Sequence, residues 1–247
     1  MKRRRFLASA GAALSISVAG KRAARPTGTT ADRVVVRVWF SDEAAAYESL
    51  DSRVEGYLRA ALSDMYDEVT IDFPSTSISL PAEGGRDVLA VHWPARVVEG
   101  AVGMGTVDPV ADVNLLVTDG DPHQQPAGYG RKHIAASTGA KYVANMDPVE
   151  ETPPVVSYSV KAAATQLLLH EVGHALGIGH EHGAARRHGD DLISSPMIGS
   201  YLWAPDDLRE KHVPEENTCG QRLPDDESAS GRQLGLRYTD CAVNALG

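Results

Sequence analysis

The stretch HEVGHALGIGH, residues 170–180, constrains the fold of this chain more than any other segment. His170 and His174 are four apart, so on a helix they share one face and can aim their imidazoles at a single point. Gly177 stands where such a helix should stop, because glycine takes the left-handed conformation that turns the chain at no steric cost. The turn brings His180 back toward the other two. Upstream residues keep helical spacing, which predicts a helix from about Ser159 to Leu176. Three of the chain's nine histidines therefore fall within eleven positions. Chance would supply the five fixed positions in only about one chain of this length in ten thousand.

Three neutral imidazoles on one divalent cation leave a fourth position for water, the open arrangement of a catalytic rather than a structural zinc site. His170, His174 and His180 are thus the expected ligands of one zinc ion. Glu171, beside the first ligand, is expected to take a proton from that water while the ion polarises a carbonyl. The alternative is a zinc-binding protein without catalysis that holds peptides. Glu171 weighs against it, since holding zinc does not require the carboxylate.

With 247 residues, 43% of them hydrophobic, the chain can bury one good-sized core, or one core split into two lobes by a cleft. RVVVRVWF (33–40) reads as a buried strand and residues 43–65 as a helix. VTIDF (69–73), DVLAVHW (87–93) and DVNLLVTD (112–119) read as further strands, followed by a Gly- and Pro-rich loop over 120–130. KHIAAS (132–137) and AKYVANM (140–146) read as two short strands before the histidine helix. The expected class is α/β (α+β), organised as a leader over 1–30, a subdomain over 31–180 carrying the helix, and a smaller one over 181–247.

The formal net charge is −9, and residues 1–19 hold four positive and no negative charges, leaving −13 for the rest. That balance argues against nucleic acid or an anionic membrane surface as a partner. MKRRRFLASAGAALSISVAG has a basic head, an apolar run too short for a permanent span, and small residues at Ser17 and Ala19, which reads as an export signal. Arg3-Arg4-Arg5-Phe6-Leu7 resembles the twin-arginine pattern, a route for folded proteins. A secreted protein with no membrane anchor after signal removal, acting as a monomer, is expected. Export also permits Cys219 and Cys241, the only cysteines, to pair; two free thiols are the alternative.

HEVGHALGIGH resembles the metzincin zinc peptidases, matching every fixed position of H-E-x-x-H-x-x-G-x-x-H. The resemblance implies a twisted mixed sheet with an antiparallel edge strand, packed on two helices including the zinc helix, and a small irregular C-terminal subdomain ending in a helix, for which residues 223–238 are the candidate. It implies an endopeptidase acting on peptides or proteins, and it makes Met197, in SSPMIGSY, the Met-turn methionine beneath the histidines. The subfamily is unassigned. A Glu follows the third histidine as in astacins, but Gly199 stands where astacins place a tyrosine, and Tyr201 lies two residues further on. No cysteine precedes the zinc helix to act as a matrixin-like latency switch. Asp119 and Asp121 lie where matrixins often bind structural Ca2+, with a solvated loop as the alternative.

A peptidase must hold its substrate extended, and pairing with an exposed sheet edge does so through the main chain alone. KHIAAS is the expected edge, with Ala135 at its centre. The resemblance places the side-chain pocket along Ile198–Trp203, with Tyr201 and Leu202 as selectivity residues.

Overall fold

The computed structural model describes residues 31–124, 127–224 and 229–246; the export signal and leader expected over 1–30 lie outside the described residues. Alternation in RVVVRVWF directs Val34, Val36 and Val38 to one face of β1 (Ala31–Phe40) and Trp39 to the other, and both faces are buried. β1 is flanked in parallel by β2 (Tyr66–Asp72) and by β3 (Val113–Val117). β5 (Ile134–Ser137) adds parallel to β3, and β4 (Gly128–Arg131) closes the sheet antiparallel to β5, giving the order β2-β1-β3-β5-β4.

One face packs on α1 (Leu50–Leu62) and on α4 (Val160–Leu176), the helix that carries His170 and His174. The other is covered by residues 87–101, where DVLAVHW departs from the expected strand. A π-helical turn over Asp87–His92 runs into α2 (Trp93–Ala101). Val88, Leu89, Trp93 and Val97 are buried while Asp87, Val91, His92 and Val98 are exposed, a helical stripe that seven residues are too short to reveal. Trp93 meets Trp39 edge-on, with ring centroids 5.2 Å apart. AKYVANM is likewise a helix, α3 (Ala140–Ala144), entered through Gly139 at φ 89°.

The second sheet has the order β6-β9-β8-β7, formed by β6 (Val155–Ser157), β7 (Ala185–His188), β8 (Asp191–Ser194) and β9 (Gly231–Gly235). β9 lies within 223–238, so the helix expected there is a strand at its centre; the terminal helix is α6 (Asp240–Asn244), capped by Thr239. Between the sheet's strands lies α5 (Asp206–His212). Cys219 and Cys241 form the expected disulfide, tying the loop after α5 to α6. Among the described residues no helix is long and apolar enough to cross a membrane.

Candidate metal centre

α4 begins at Ser159, whose hydroxyl accepts the Ala162 N–H, and ends at Gly177 with φ 97°. The Ile178 N–H then reaches back to the Gly173 carbonyl, closing a Schellman-type turn that sends the chain to a 3-10 turn at His180–His182. The three Nε2 atoms converge: His170 to His174 3.1 Å, His174 to His180 3.1 Å and His170 to His180 3.2 Å. His170 donates from Nδ1 to the Pro196 carbonyl at 2.8 Å, and His174 from Nδ1 to the Ile178 carbonyl at 2.9 Å. With the proton held on Nδ1, each Nε2 presents a lone pair to the same point. Three lone pairs so close repel one another unless a cation lies among them, and the spacing suits an ion about 2.0–2.1 Å from each nitrogen. Among the described residues this is the group whose ligand atoms could hold a metal ion. Burial and the neighbouring imidazoles hold His170 well below its ordinary range; burial also lowers His174, and it brings His180 to about 4. All three are therefore neutral at pH 7, the form a cation needs.

Glu171 lies against β4, beside His174, and shares the lining of one cavity with His170. Its carboxylate is buried, accepts no hydrogen bond from the described residues, and is pushed up by burial to about 8. Room for it exists only because β4 carries Gly128 and Gly130. A Cβ on Gly128 would overlap Glu171 Oε1, and one on Gly130 would lie 2.7 Å from Oε2 and 2.5 Å from His174 Cβ. The same two residues supply the sheet's free main chain. The Thr138 N–H bonds to the Ala127 carbonyl, so Ala127 and Thr138 are a hydrogen-bonded pair. Alternation along the antiparallel ladder then turns the peptide groups of Gly128 and Gly130 outward.

That geometry corrects the placement of Ala135. KHIAAS is not an edge: Ala135 pairs with Leu115 on one side and Gly130 on the other and is fully buried. Its alanines make room for the layers above and below the sheet, not for a further strand beside it.

Met197 is buried with its sulfur against Gly173, where a Cβ would overlap Sδ. The turn it occupies ends at Gly199, at φ 56°, a left-handed conformation that favours glycine. Gln166, one helical turn before His170, ties α4 to the end of β8 and to β9, donating from Nε2 to the Ser194 carbonyl at 3.0 Å and to the Gly235 carbonyl at 2.9 Å. Beside Glu171 and His170 opens a cavity of about 210 Å³ walled by Tyr158, Leu167, Ser200 and Tyr201. Tyr201 lies with its ring centroid 5.8 Å from that of His170 and 5.6 Å from that of His180. Leu202 does not reach this cavity: it is fully buried with Leu192 and Ile198, which corrects its assignment to the pocket wall. Asp119 binds neighbouring donors, the Tyr47 hydroxyl at 2.7 Å and the Lys141 N–H at 2.9 Å, and Asp121 accepts the His123 N–H at 2.9 Å. These hydrogen bonds brace the loop after β3.

Sequence reading did not find Gln166, Gly128, Gly130 or His212, which approaches His180. Only Gln166 left a signal, its four-residue offset from His170.

No family model and no curated protein sequence matches the chain. Among solved structures it is similar to an archaemetzincin from Methanopyrus kandleri, at 19% identity over 63% of this chain and 78% of that one, with a TM-score of 0.34.

Proposed function

We propose that the protein is an exported zinc-dependent endopeptidase. The observation that carries this reading is the meeting of three convergent, neutral imidazoles with the Glu171 carboxylate, largely buried and lining the adjacent cavity, under a sheet edge. Zinc, when bound by His170, His174 and His180, supplies Lewis acidity that polarises the scissile carbonyl and makes water nucleophilic near neutral pH. Glu171 takes the proton from the attacking water and returns it to the leaving amine. Gly128 and Gly130 pair with the substrate main chain, which gives affinity without sequence preference. Selectivity falls to the cavity beside Glu171, with Tyr201 in its wall. Met197 supports the ligands from below through its contact with Gly173. The leader over 1–30 directs export, and Arg3→Lys with Arg4→Lys is expected to block it.

The test is cleavage of casein or a quenched peptide library, with and without a chelator and with zinc restored. The expected result is chelator-sensitive hydrolysis that zinc restores and that Glu171→Ala lacks while still binding zinc. Zinc lost from that variant, or turnover near wild type, refutes the role of Glu171.

A further inference from the structure

His170 and His174 hold their protons through backbone carbonyls, and His180 does not. Its Nδ1 lies 3.2 Å from Nδ1 of His212, with the two rings nearly perpendicular at 82°. Because His180 turns its Nε2 toward the other two ligands, its own proton must sit on Nδ1, and His212 Nδ1 must accept it. His212 itself lies on the Nδ1 side of His180, away from the convergent Nε2 atoms, and is no member of the ligand group. Its ring is fixed by stacking on Tyr201, with centroids 4.3 Å apart and planes 21° from parallel.

We infer that His212 is a positioning residue of the metal centre: by accepting the Nδ1–H of His180 it orients the third ligand, and so couples ion binding to the docking of α5. The inference rests on the metal-centre reading above. His212 is the last residue of α5, a seven-residue helix with no buried residue of its own. A helix that short does not hold itself together in water and depends on what it touches. One of those contacts is the ligand. A carbonyl of the chain beside the site would orient His180 whatever α5 did; a side chain 32 residues away orients it only when α5 is in place. Linkage makes the effect reciprocal: whatever factor docked α5 adds to metal affinity, the metal adds to the docking of α5.

Two substitutions separate the nitrogen from the ring. His212→Phe keeps a flat ring for Tyr201 and removes the acceptor; His212→Asn loses the ring and places an amide oxygen near the position of Nδ1. Zinc affinity of the full chain is measured by competition with a chelator. His212→Phe should bind zinc about 10–100-fold more weakly than wild type, and His212→Asn within about threefold of it. Trypsin gives a second readout on wild type: zinc should slow cleavage of the Lys211–His212 bond about tenfold or more, by the same linkage. His212→Phe binding as tightly as wild type overturns the inference, as does His212→Asn binding as weakly as His212→Phe, which would assign the effect to ring packing. Should His212→Phe misfold, the wild-type digestion decides, and equal cleavage with and without zinc overturns the coupling. Failure of the metal centre itself looks different: wild type takes up no zinc, or His174→Ala takes it up as tightly as wild type.

Discussion

Zinc binding should expel a proton from Glu171, and Glu171→Gln should abolish that release. In the metal-free protein the carboxyl is buried without a hydrogen-bond partner among the described residues, and burial pushes it to about 8. At pH 7 about 0.9 of a proton is therefore bound there. The three histidines have none to give, since burial keeps them neutral at that pH. A divalent cation on those imidazoles favours the ionised carboxylate, so binding at pH 7 should release about 0.9 proton more from wild type than from Glu171→Gln, falling to about 0.1 at pH 9. Calorimetric titration in buffers of different ionisation enthalpy counts these protons. The same shift sets a stability profile. A carboxyl raised from 4.5 to about 8 contributes stability that is complete below 4.5 and lost as pH rises through about 8, a change of about 5 kcal/mol at its upper bound. The lowered histidines act on the acid side, where the unfolded chain gains protons below about 6.5 that the folded one refuses. Metal-free wild type should thus be most stable between the two limbs, and Glu171→Gln should flatten only the alkaline one. Equal proton release from both proteins at pH 7 would refute the account of Glu171 as a buried, protonated acid awaiting a cation.

Gly130→Ala should cost about 1–3 kcal/mol in thermal or denaturant unfolding. Its Cβ meets His174 and Glu171 together, so hydrolysis and zinc affinity should fall as well, each measured on the purified variant. Leu202→Ala should destabilise the fold by about 2–5 kcal/mol in denaturant titration while leaving the peptide-library cleavage preference unchanged, because the side chain is in the core and not in the cavity. Replacing Cys219 and Cys241 together by serine should cost about 3 kcal/mol, since the bridge closes a loop 22 residues apart in sequence; equal melting of the oxidised and reduced protein would contradict this.

The histidine-helix segment was legible because its geometry is local. Two ligands are set by the helical repeat, and the third by one glycine turn only three residues past the second ligand. Where the reading failed, a partner distant in sequence decided the outcome. DVLAVHW is apolar enough for a strand, and it becomes helical because one stripe of it caps the Trp39 and Leu116 face of the sheet. Residues 223–238 hold a strand because β6 and β8 lie ready on either side of β9. His212 has no spacing signal at all, since its relation to His180 exists only after α5 has folded back.

Ala135 and the two glycines of β4 form one case. Small residues in a strand suggest space for another strand beside it, yet side chains project above and below a sheet while pairing runs within its plane. Small size at Ala135 and Ala136 therefore admits the layers on the two faces. At Gly128 and Gly130 it admits the Glu171 side chain from one face. Which strand is the edge is a separate matter, decided by chain order, and β4 holds that place because the hairpin after Arg131 lays it outside β5. In sequence GYGR looks like the tail of a loop rich in glycine and proline. In the fold its glycines meet two demands at once: a carboxylate must come within contact of the main chain on one face, and outward peptide groups must stay free along the rim. Any side chain there would meet the first demand with a clash, and β4 holds its strand conformation because β5 supplies the pairing that glycine's own propensity does not.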